Sequence, residues 1–166
     1  MSSSRTWAAT LAAAALAAAC GFHLRGDVAY PFESIFINSP QPQPIVTELK
    51  RNLAGSSSTK LVDASKDATV TLDITSVNDD KSVLTLSTGG RVSEYALTKR
   101  VSFVLRDKEG HDWLPPGEIV IRRSYTFNES EVLARESEET RTLKEMQTDA
   151  VQQIMRRLQA ARKPLA

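Results

Sequence analysis

The chain has one cysteine and two histidines in 166 residues. One cysteine cannot build an intrachain disulfide framework or a multi-cysteine zinc site. Two histidines leave little material for metal ligation or acid–base chemistry. Charge of one sign is also lacking: 21 basic side chains stand against 20 acidic ones, a formal net charge of +1. That balance argues against a general binder of polyanions such as nucleic acid. Aromatic residues make up only 6% of the chain, and no apolar run reaches the roughly 18–20 residues of a membrane-spanning helix. What is present, 41% hydrophobic and 25% charged residues, is the composition of one folded domain and not of a low-complexity chain.

The longest apolar stretch runs from Trp7 to Ala19, with Arg5 as the only charged side chain before Cys20. A charged start, an apolar run and small residues are the order of a secretory signal; a short buried helix is the plainer reading. Leu16-Ala17-Ala18-Ala19-Cys20 resembles the lipobox of bacterial lipoproteins, with Ala17 where that pattern prefers Leu. In such proteins the cysteine thiol takes a lipid, and cleavage frees its amine for a further acyl chain such as palmitate. The resemblance makes residues 1–19 a signal peptide and Cys20 the lipidation site. The mature chain, residues 20–166, would lose Arg5 and carry no formal net charge. Each buried CH₂ contributes about 0.8 kcal/mol, so two or more acyl chains anchor stably. Gly21 follows the cysteine. An Asp there retains enterobacterial lipoproteins at the inner membrane, so its absence points to the outer membrane.

Beyond Cys20 the pattern predicts an α+β unit. Ser34 to Asn38 is short and β-branched, as a strand is. Pro40, Pro42 and Pro44 follow as a stiff connector. Ile45, Leu49 and Leu53 recur every four residues before Gly55, one face of a short helix. Val70, Leu72 and Ile74 alternate with Thr69, Thr71, Asp73 and Thr75, a half-buried strand. Asn78-Asp79-Asp80-Lys81 reads as an interruption of it, by a bulge or turn. Thr88-Gly89-Gly90-Arg91 is a tight-turn signal. A long strand follows, with Tyr95, Leu97, Val101, Phe103 and Leu105 on one parity and Lys99 as the exception. Pro115-Pro116-Gly117 bounds a strand from Glu118 to Phe127. Asn128 suits a helix cap, and Leu143, Met146, Ala150, Ile154 and Leu158 mark a long C-terminal helix. The expected fold is two helices packed on one face of a mixed, roughly four-stranded sheet.

No catalytic or metal motif emerges, and neither an enzyme nor a cofactor is expected. His23 lies three residues from the lipid anchor. His111 sits in a turn beside Asp112, without a G-x-S-x-G elbow or comparable nucleophile motif; a lipid-anchored hydrolase is the remote alternative. The basic residues are more informative. Arg91 lies at the glycine turn, Lys99, Arg100 and Arg106 on the long strand, Arg122 and Arg123 on the next, and Arg135 just past Asn128. Arginine binds phosphate through a planar fork of donors, so an anionic lipid headgroup is a fitting ligand. The plainer reading is a sheet face charged for solubility.

Four segments carry a family resemblance. They are Cys20-Gly21-Phe22-His23-Leu24-Arg25, Glu94-Tyr95 after the Gly-Gly turn, Arg123-Ser124-Tyr125-Thr126-Phe127-Asn128, and Leu133-Ala134-Arg135 with Lys144-Glu145-Met146. In that order and spacing the chain resembles the LPS-assembly lipoprotein LptE family. The resemblance implies a single domain over residues 20–166, with two helices on a mixed sheet. It implies an outer-membrane lipoprotein held to the bilayer through Cys20. It also implies a plug inside the LptD β-barrel, one copy per barrel, which helps that barrel assemble. It further implies binding of lipopolysaccharide through basic residues, for which Arg91, Arg135, Lys99, Arg100 and Arg122 are the candidates. A generic outer-membrane lipoprotein scaffolding another envelope complex is the alternative. No nucleic acid is expected as a partner.

Overall fold

The structure is a computed structural model that describes residues 29–126 and 132–164, with the side chains of residues 132–136 excepted. The signal segment, Cys20, His23, Phe127 and Asn128 lie outside the described residues. The elements run β1 (Ser34–Asn38), α1 (Pro44–Ala54), β2 (Lys60–Leu61), a single 3-10 turn (Ser65–Asp67), β3 (Val70–Leu86), β4 (Val92–Asp107), β5 (Asp112–Thr126) and α2 (Val132–Gln159). The sheet order is β2-β1-β3-β4-β5. β1 is parallel to both neighbours, while β3, β4 and β5 form an antiparallel meander. The sheet is mixed and both helices are present, as expected. The fifth strand is the two-residue β2, too short to leave an alternating pattern in the sequence.

Alternation explains which face is covered. Val70, Leu72 and Ile74 of β3, with Val101, Phe103 and Leu105 of β4, are buried with Ile35 and Ile37 of β1. Ile45, Leu49 and Leu53 of α1 close over them, as do Ala150, Val151, Ile154 and Leu158 of α2. The two helices meet through Glu48, whose carboxylate accepts hydrogen bonds from Gln147 (2.7 Å) and Thr148 (2.9 Å). α1 starts with Pro44 in its first turn, where the missing N–H costs nothing. Among the described residues, the opposite face of the sheet carries no helix.

Two sequence expectations need correction. β3 is not interrupted at Asn78–Lys81; it pairs with β4 from Val70 to Leu86, with bulges at Ile74/Ser76 and beyond Val83. The polar residues at 78–81 are strand residues exposed beyond the reach of β1, which pairs only as far as Asp73. β5 starts at Asp112, not Glu118. Gly117 lies opposite Phe103 and Leu114 opposite Leu105, so Pro115 and Pro116 fall in a bulge on an edge strand. Proline is tolerated there because no ladder bond is lost.

β3 and β4 therefore outrun the rest of the sheet. β5 pairs with β4 as far as Thr126, opposite Glu94, so among the described residues only the tip of the β3–β4 ribbon, capped by Gly89 and Gly90, is two-stranded. Gly90 has φ +74, which favours glycine, and a Cβ at either glycine would meet nothing within 4 Å. At about 3.3 Å per residue, β4 alone spans about 50 Å from this apex to the Asp107–His111 turn.

Candidate functional site

The five basic candidates do not form one cluster. Lys99 faces the covered side of the sheet. Its side chain is 5% exposed, and its Nζ donates to both oxygens of Asp79, at 2.6 and 2.8 Å. The break in the alternating pattern at Lys99 is thus an internal ion pair, which takes its ammonium away from any outside anion. Arg100 and Arg122 lie on the opposite, helix-free face. Arg100 stands between Asn78 and Val120, and Thr98 stands between Asp80 and Arg122. Arg100 and Arg122 are diagonal neighbours on one face, a separation that long side chains bridge.

Arg91 is exposed at the ribbon apex, where its carbonyl accepts the Ser87 N–H at 2.7 Å. It is nine residues along β4 from Arg100, about 30 Å in extended chain. The backbone of Arg135 lies in α2 one turn before Glu139, at the same end of the molecule as the ribbon. Arg91 therefore stands alone at the apex, Arg100 and Arg122 form a pair on the opposite face, and the side chain of Arg135 lies outside the described residues.

No local pattern among the residues signals the network that holds α2 to the ribbon base. Tyr95 and Tyr125 stack with ring centroids 5.7 Å apart, and Lys81 Nζ lies 4.4 Å from the Tyr95 centroid. Lys81 also pairs with Glu139, and the Tyr125 hydroxyl donates to Glu139 at 2.6 Å. Bonds from Lys81 and Tyr125 outweigh burial and hold the Glu139 carboxyl below its ordinary pKa. Burial opposes the charge of Lys81, but its bonds to Glu139 and Tyr125 prevail and raise its pKa. Burial and the bond to Glu139 push the Tyr125 phenol up. Beneath them Leu97, Tyr125 and Met146 form a second apolar cluster. Hairpin register creates this site, bringing residues 81, 95 and 125 together on one face.

His111 lies at the far end. Asp107 accepts the His111 N–H at 2.8 Å, and its other oxygen lies 3.2 Å from the imidazole and 3.4 Å from the Trp113 indole nitrogen. Burial would raise the Asp107 pKa, but these bonds lower it. Asp107, Glu109 and His111 bring one ligand atom each within 4.8 Å of one another. Among the described residues, the imidazole is bonded to Asp107 and to no hydroxyl or thiol, so the trio clamps a turn bounded by Gly110 (φ 88). No described helix is long and apolar enough to cross a membrane.

Fold and site together define a small α+β body, two helices on one face of a mixed sheet, with charged surfaces and a projecting hairpin tip. Comparison with known proteins narrows the class. The model of the family "LptE: Lipopolysaccharide-assembly" matches residues 32–158. The LPS-assembly lipoprotein LptE of Pectobacterium atrosepticum is 27% identical over 148 residues, covering 86% of this chain and 78% of its own. The LptE of Photorhabdus laumondii is 29% identical over 144 residues, covering 85% and 78%. The solution structure of lipoprotein B from Nitrosomonas europaea superposes with a TM-score of 0.74 at 35% identity, over 84% of this chain and 91% of that one. Rare lipoprotein B from Shewanella oneidensis gives 0.67 at 25% identity, over 77% and 95%.

The chain belongs to the LptE family of lipopolysaccharide-assembly lipoproteins. Members of that family are assembly proteins and not enzymes.

Proposed function

We propose that this chain is an outer-membrane lipoprotein, anchored through Cys20, that fills the lumen of the LptD β-barrel as a one-to-one partner. It assists assembly of that barrel and presents basic residues to the phosphates of lipopolysaccharide. The family match over residues 32–158 carries this reading. The surface supports it. A large barrel has a polar lumen, and the helix-free sheet face carries Asp80, Thr98, Arg100, Ser102, Glu118 and Arg122. A plug that binds only the folded barrel stabilises it by mass action.

Lys99 is committed to Asp79 and leaves the set of lipopolysaccharide contacts. Arg91, Arg135 and the face pair Arg100 and Arg122 remain. Charge-assisted hydrogen bonds contribute about 1.5–3 kcal/mol each. Arg91→Asp with Arg135→Asp should therefore weaken capture of lipopolysaccharide at least about tenfold, with the far-ultraviolet dichroism unchanged. Arg100→Asp with Arg122→Asp tests the face pair in the same way. Unchanged capture by both double variants would refute binding through these residues.

A further inference from the structure

We propose that the ribbon formed by the ends of β3 and β4 is an acyl-chain subsite: Val83, Leu84 and Leu86 contact the hydrocarbon of the lipid whose phosphates the basic residues hold. This inference rests on the lipopolysaccharide-binding reading above and adds to it where the fatty chains go.

Exposed large hydrophobic side chains are scarce among the described residues. They are Val83 (51% exposed), Leu84 (54%), Leu86 (58%) and Val120 (42%). Three of the four fall within four residues of one another, on the reach of β3 beyond Asp73, where β1 stops and no other described strand pairs with its outer edge. A scattered exposed leucine needs no explanation, but apolar residues concentrated on a projecting element mark a contact surface. Chain geometry turns them outward. The register shift between Val83 and Thr85 leaves Leu84 without a partner on β4, and a bulge re-aims the side chain it carries. Leu86 pairs with Val92, so the apolar patch continues across the ribbon.

The neighbouring charge identifies the occupant. Arg91 is exposed directly before Val92, on the turn that joins the two strands. A cation beside an apolar patch complements an anionic amphiphile, in which phosphate and hydrocarbon lie side by side. A polar barrel lumen offers no such match for the leucines. The apex itself is slender, since Gly89 and Gly90 have open space around them. A two-stranded ribbon of this kind enters a layer of chains without displacing a bulky body.

The test uses the full lipidated chain and two probes: intact lipopolysaccharide, and the same molecule stripped of its acyl chains by alkali with phosphates retained. Leu84→Ser with Leu86→Ser should weaken capture of the intact probe about tenfold or more, since burial of each leucine favours binding. Capture of the deacylated probe should not change. Val120→Ser, on the sheet face, should alter neither. Equal loss with both probes, or no loss with the intact one, overturns the subsite. So does intact capture with loss of barrel co-purification, which would assign the leucines to a protein contact. Failure of the unaltered chain to capture either probe overturns the lipopolysaccharide reading itself and this inference with it.

Discussion

Asp79→Ala and Lys99→Met break the same ion pair but should differ in cost. The Lys99 side chain is 5% exposed, whereas that of Asp79 is 43% exposed. Removing Asp79 leaves an ammonium group in the covered side of the sheet without its carboxylate. Stripping a buried pair of one partner costs about 3–5 kcal/mol. Water reaching the space vacated by Asp79 lowers this to about 2–3 kcal/mol. Lys99→Met instead keeps the linear stem and its packing. The carboxylate it leaves behind is open to solvent, so the change should stay within about 1 kcal/mol. With a urea dependence of about 2 kcal/mol per molar, the unfolding midpoint of Asp79→Ala should lie about 1 M below that of Lys99→Met. The double variant should resemble Lys99→Met, because no buried charge is then left alone. Equal midpoints for the single variants, or a lower one for Lys99→Met, would refute the asymmetry.

The contact between α2 and the ribbon base should be sensitive to acid. The carboxyl of Glu139 has a pKa held below its ordinary value in the folded state. Its contribution is therefore complete above the ordinary carboxylate range and is lost as pH falls through the folded value. Urea midpoints measured below about pH 4.5 should fall more steeply for the unaltered chain than for Glu139→Gln. At pH 7 that substitution should cost about 1 kcal/mol, since the pair is partly solvated. Parallel pH profiles would count against the network. Met146 is fully buried beside Leu97 and Tyr125, so Met146→Ala should lower stability by about 2–5 kcal/mol. A loss under about 1 kcal/mol in urea unfolding would mean that the second cluster is loosely packed. Cys20→Ala should abolish acylation, and a mass spectrum still showing acyl chains would contradict the assigned anchor.

Much of the covered layer was legible because burial and period coincide. Ile45, Leu49 and Leu53 repeat at helical spacing and are buried, and Val70, Leu72 and Ile74 alternate and are buried. The break at Asn78–Lys81 was misread because polarity was taken for loss of structure. In a strand whose neighbour stops at Asp73, polarity marks an exposed reach of the same strand. Pro115 and Pro116 misled for the opposite reason: an edge-strand bulge accommodates them without ending β5. Among the basic residues, strand parity placed Lys99 with the core but could not name Asp79, twenty positions earlier, as its partner. The Lys81–Tyr95–Tyr125–Glu139 network depends on the register of two hairpins and the docking of a helix. None of these leaves a local trace in the sequence.

The most direct test of the account is to isolate the lipidated chain with its barrel from outer membranes and weigh the intact complex by native mass spectrometry. One copy of this chain bound to one LptD is the predicted result. Recovery of the chain with a different barrel, or with none, would contradict it.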